Sequence, residues 1–190
     1  MYTRTNTFIL GFFVPADAIG MYNGGEKVVK ASNRILTPLS ETFFPRMSEY
    51  AGSNSSKEGV FRKKVALVMI GIASLACIVL LGVAPYAVPL IFGEGYDRIT
   101  PVIQIMALSL PFVAVNNVLG VQWMIPHGLD TVYQNILITA GILNLVLAVL
   151  LAWLVGIYGV AVLVPSIEAM VGIMMGVSLY RHNKISGYAS

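Results

Sequence analysis

The sequence predicts an all-α, polytopic membrane protein, a bundle of about six helices, and three observations carry that reading. Of its 190 residues 57% are apolar and only 11% charged, against about 25% charged in an ordinary soluble domain. The apolar residues fall in uncharged runs that are too long for core strands or buried helices and long enough to cross about 30 Å of hydrocarbon. Despite a formal charge of +3, the basic residues lie scattered at the ends of those runs and form no single nucleic-acid-binding stripe.

The first element spans 3–15, where Phe8 to Val14 is apolar for only seven residues against the roughly 20 that a crossing helix needs. Arg4, this short core and Ala16-Asp17-Ala18 imitate a secretory signal peptide. The preferred alternative is a truncated membrane helix that lacks its first turns. The second element, 17–50, is amphipathic. With Glu26 set at zero, Lys30, Asn23, Glu41, Arg34 and Lys27 fall within about 100° at the helical period. Val28, Val29, Ile35, Leu36, Leu39 and Phe43 occupy about 180° to 300° on the same wheel. Pro38 is expected to kink this helix near its middle. Gly52 to Lys64 reads as the one clear hydrophilic linker.

The third element, 62–92, contains an uncharged run from Val65 to Ala84, beyond which Pro85 and Pro89 bend the continuation. The fourth, 100–125, carries Pro111, Asn116, Asn117 and Gln122 and so has a polar face. The fifth, 131–155, is nearly uniformly apolar. The sixth, 157–181, is interrupted by Pro165 and Glu168. Six alternating spans place Arg4, Arg46, Lys57, Arg62, Lys63, Lys64, Arg181 and Lys184 on one side and Arg98 on the other. The positive-inside rule then puts both termini in the cytoplasm.

Several chemistries are excluded. Cys77 is the one cysteine and the two histidines, His127 and His182, lie in different polar segments, which leaves no disulfide and too few ligands for a transition metal. No phosphate loop, nucleophile triad or carboxylate pair at glycosidase spacing can be assembled, so no enzyme and no cofactor is expected. Tyrosines near helix ends, Tyr2, Tyr22, Tyr50, Tyr86, Tyr96 and Tyr180, read as interfacial anchors. The doublet Gly24-Gly25 lies within a helix and reads as close packing or flexibility.

What remains is the charge inside the second element. Each central charge costs about 2.5 to 3.5 kcal/mol in the membrane even on the lenient insertion scale, so Glu26, Lys27, Lys30 and Arg34 need compensation. One reading pairs Glu26 with Lys30 at i,i+4 and lets the others snorkel to a headgroup region. The other spends the surplus positive charge in a hydrated cavity on an anionic substrate, since guanidinium and ammonium groups bind phosphate oxygens strongly in low dielectric. Asn116 and Asn117 read first as interhelical hydrogen-bonding groups. Glu168 can pair with a cation, couple to protons or lie near a helix end.

Asn6-Thr7-Phe8-Ile9-Leu10-Gly11, Gly20-Met21-Tyr22, Glu26-Lys27-Val28-Val29 and Phe43-Phe44-Pro45-Arg46-Met47-Ser48 resemble the seventh and eighth helices of Wzx-type O-antigen flippases. These belong to the multidrug/oligosaccharidyl-lipid/polysaccharide exporter superfamily, and the resemblance extends from Thr3 to about Leu179. It implies one six-helix lobe, the C-terminal half of a MATE-like transporter, over 1–190. It further implies flipping of undecaprenyl-pyrophosphate-linked oligosaccharide across the bacterial inner membrane by alternating access. The implied partners are that lipid-linked oligosaccharide, membrane lipids, an N-terminal lobe and polysaccharide polymerase or assembly proteins. On this resemblance Lys30 and Arg34 face the cavity, Glu26, Lys27 and Asn23 complete the charged face, and Arg4 and Asn6 line the same space. Pro38, Pro111 and Pro165 are its candidate bend points. Rival readings are an ion-coupled drug exporter, a lipid II flippase, a membrane scaffold without transport, and a membrane-bound polymerase or ligase.

Overall fold

The computed structural model describes residues 3–53, 57–93 and 95–186. Tyr2, expected to be an anchor, lies outside them, as do the side chains of Arg4, Lys57 and Lys184; Tyr22, also expected at the interface, is instead fully buried in the core. The chain is an all-α membrane bundle. Its helices are α1 (Thr3–Leu10), α2 (Ala16–Asn33), α3 (Leu36–Ser53), α4 (Lys57–Phe92), α5 (Ile99–Ala107) and α6 (Ser109–Asn116). A π-helical segment, Asn117–Met124, continues α6, and α7 (Asp130–Val155) and α8 (Ile157–Ser186) complete the chain.

By length and apolar composition four helical stretches can cross a membrane: Glu58–Phe92, Ile99–Met124, Asp130–Val155 and Ile157–His182. The first of these belongs to a 36-residue helix, about 54 Å long at 1.5 Å per residue. That exceeds the hydrocarbon, so the turns bearing Arg62, Lys63 and Lys64 project beyond it. The expected linker 52–64 is therefore largely helical, since α3 runs to Ser53 and α4 starts at Lys57.

Three breaks share one cause. A proline has no N–H, and its ring collides with the carbonyl four residues earlier. Pro15, Pro38 and Pro111 stand four residues after Gly11, Arg34 and Ala107, where α1, α2 and α5 give way to a turn. The helix expected over 17–50 is accordingly two helices, broken at Arg34–Ile35, one turn before Pro38. By contrast Pro45, Pro85, Pro89 and Pro165 lie inside helices that continue through them. At Pro85 the compensation is visible, because the Gln104 side chain donates to the orphaned Leu81 carbonyl at 2.9 Å.

Small residues choose the buried faces. In hydrocarbon, helices gain little by burying leucine against leucine, and close backbone approach decides which side packs. On α7 the buried residues are Ile136, Ala140, Asn144, Ala148 and Ala152, a strict four-residue spacing, while Ile138, Ile142, Leu145 and Trp153 face outward. The buried stripe of α4 is Val65, Met69, Ala73, Cys77, Ala84 and Val88, so Cys77 faces a helix and not lipid. α7 packs along α8, α1 lies against α7, and α2 is seated on α5 and also touches α8.

Candidate functional site

α2 brings its polar face to a place where α5, α6 and α8 leave room. Glu26, Val29, Lys30 and Asn33 from α2, Met106, Ser109, Leu110 and Val113 from α5 and α6, and Val164 and Glu168 from α8 enclose a cavity of about 140 Å³. The α2 residues recur at three- and four-residue intervals, which is one helix face. Lys30 Nζ lies 3.0 Å from Glu26 Oε2. Glu26 is buried, and its second oxygen has no hydrogen-bond partner.

Glu168 stands at the junction of this cavity with a second one of about 180 Å³, bordered also by Asn116, Asn117, Val121 and Tyr133. The Asn116 amide donates to Glu168 Oε2 at 2.7 Å and to the Glu168 backbone carbonyl at 2.9 Å. Gly172 makes this approach possible, because a Cβ there would lie 2.9 Å from Asn116 Oδ1. Replacing Asn116 by leucine removes the donor from a carboxylate between helices, and an unsatisfied group of this kind costs about 1–3 kcal/mol. A lower thermal unfolding midpoint of the purified variant, with Asn116→Gln closer to the parent, is the expected result.

The remaining expected site residues divide. Lys27 and Arg34 are exposed and do not line the cavity; Arg34 follows the last turn of α2, where a cation complements the helix dipole. The first cavity thus carries two carboxylates and one ammonium, and the surplus positive charge expected within it sits outside. Asn23 accepts a hydrogen bond from Thr7 at 2.8 Å, and buried Asn6 accepts one from Asn144 at 2.8 Å. These two residues tie α1 to α2 and to α7 and are not among the cavity-lining residues. Asn117 accepts a bond from Ser40 at 3.0 Å, which joins the π-helical segment to α3.

Sequence reasoning passed over Asn33, Ser109 and Asn144. Asn33 was findable, since it is seven residues beyond Glu26 and so shares its face. The roles of Ser109 and Asn144 depend on helices distant in sequence, and no local pattern marks them.

The chain is similar to two curated proteins that bear the name "Putative O-antigen transporter". The one from Escherichia coli (strain K12) is 31% identical over 188 residues, which is 97% of this chain and 44% of the relative. The one from Shigella dysenteriae is 27% identical over 177 residues, 92% of this chain and 43% of the relative. The chain thus spans less than half the length of these curated relatives. No family model matches it, and neither does a solved structure.

Proposed function

We propose that this chain, a relative of the O-antigen transporters over nearly its whole length, forms one lobe of a flippase. Its cargo is undecaprenyl-pyrophosphate-linked oligosaccharide, moved across the bacterial inner membrane by alternating access, with both termini in the cytoplasm. A companion lobe supplies the other wall of the path, and polysaccharide assembly proteins receive the product. The relatives are named as transporters and not as enzymes.

The observation that carries the reading is a charged cavity inside an apolar membrane bundle. Ionised groups at that depth cost several kcal/mol unless they serve a hydrated path. Lys27 on α2 and Arg34 just beyond its last turn are exposed and offer cations of the kind that bind phosphate. Glu26 and Lys30 hold the inner wall, and Glu168, held by Asn116, is the group through which proton movement is coupled to the lobe's motion.

The test is surface polysaccharide in cells that depend on the protein. Lys27→Gln with Arg34→Gln changes only exposed side chains, so protein level should be unchanged while surface polysaccharide falls at least about tenfold, a loss of about 1.4 kcal/mol or more of cargo binding. Normal polysaccharide would discard the anionic cargo. One observation favours a second reading, an ion-coupled exporter of cations: the cavity lining holds two carboxylates to one ammonium. Under that reading the Lys27/Arg34 variant stays active and Glu168→Gln alone abolishes export.

A further inference from the structure

The stretch Asn117–Met124 is π-helical over eight residues, whereas such geometry is rare and usually limited to a single turn. Its wide turns are shown by bonds between residues five apart, Ile125 N–H to the Gly120 carbonyl at 3.1 Å and Leu129 N–H to the Met124 carbonyl at 2.9 Å. Two amide side chains five residues apart, Asn117 and Gln122, meet one residue of α3. The Ser40 hydroxyl donates to Asn117 Oδ1 at 3.0 Å and accepts from Gln122 Nε2 at 2.9 Å. The same Gln122 nitrogen donates to the Ser40 carbonyl at 3.0 Å.

In an α-helix these two side chains would point about 140° apart at 100° per residue. Only the π register, with its i to i+5 closure, brings both to the same partner. Gln122 is fully buried and its carbonyl oxygen has no partner. A buried amide satisfied on one side alone holds its place only while the clasp is closed.

We propose that Ser40, Asn117 and Gln122 form a clasp that holds residues 117–124 in π register, and that its release lets this segment wind into α register. The segment is a two-state element in the cavity wall, because Asn117 and Val121 line the space beside Glu168. Winding turns these side chains away and carries Trp123 off the Arg62 guanidinium, which now sits 3.8 Å from the centre of its ring. Both edges of the segment are thereby linked to neighbours, α3 through Ser40 and α4 through Arg62. The inference goes beyond the transport reading and holds whatever the cargo.

The experiment uses the full chain, purified in lipid nanodiscs, with Trp153→Phe so that Trp123 is the sole tryptophan. Ser40→Ala and Gln122→Leu should each shift Trp123 emission to the red and raise its quenching by acrylamide. The double variant should give the same shift as either single one, because a clasp opens once. Ser40→Thr keeps the hydroxyl and should match the parent. Unchanged Trp123 emission in Ser40→Ala, or shifts that add in the double variant, would overturn the clasp. Should Gln122→Leu fail to fold, half-buried Asn117 decides: Asn117→Ala must reproduce the Ser40→Ala shift, and a parent-like spectrum refutes the proposal.

Discussion

Lys30→Met by itself is expected to lower the stability of the purified chain by up to about 3 kcal/mol, and Glu26→Gln/Lys30→Met to recover most of that loss. The single change strips the partner from a carboxylate that is 7% exposed and whose other oxygen is already without a hydrogen bond. Breaking such a pair costs more than replacing it whole, since the remaining ion has lost its solvation and gained nothing. Lys30 itself is 43% exposed, and water reaching it keeps the figure below that for a fully enclosed pair. The paired variant removes both charges and leaves two side chains of similar length. Thermal unfolding in detergent measures the stability half of the prediction. Surface polysaccharide measures the other half, where the double variant should be stable and inactive if the pair lines the path. A double variant that is both stable and fully active would reduce Glu26 and Lys30 to a structural pair.

Gly25→Leu should be more damaging to the fold than any surface change on α2. A Cβ at Gly25 would stand 2.9 Å from Val102 Cγ1 and 3.3 Å from Val102 Cβ, and one at Gly24 would meet Phe92 and Ile99 at 3.2 and 3.3 Å. The doublet lets α2 lie directly on α5, and this seating aims Glu26 and Lys30 into the cavity. Overpacking of this kind costs about 1–3 kcal/mol, and Val102, the residue it meets, is fully buried. Gly25→Leu should therefore fail to accumulate in the membrane, Gly25→Ala should accumulate at reduced level, and Gly20→Ala should be neutral. No atom lies within 4 Å of a Cβ built at Gly20. Immunoblots of membrane fractions check the order; equal levels of all three would show that α2 is not clamped against α5.

Much of the architecture was legible because the membrane acts as a solvent. A run such as Val65–Ala84 excludes water by its composition alone, whatever it packs against. The doublet Gly24-Gly25 was legible only as close packing or flexibility, and its contacts with Val102 and Ile99 of α5 decide for close packing. Less was visible where a break depends on a proline beyond it. Pro38 was expected to kink the helix near its middle, and the interruption does fall there, at Arg34–Ile35, but as a full break into two helices because the clash lies four residues before the proline. The seemingly featureless run of α7 held a signal in its four-residue alternation of small residues, which its uniform hydropathy concealed.

Composition and local period suffice for the solvent, the four long spans and the sharing of one α2 face by Glu26 and Lys30, because each follows from summed transfer free energy or from the 3.6-residue turn within one segment. Helix packing is what brings Asn116 to Glu168, 52 residues away in sequence, and Asn6 to Asn144, 138 residues away. It alone also left Arg34 outside the cavity that Lys30 lines. Charge pairing is a property of distance in a low-dielectric interior, and that distance is set by which small residues let the helices close.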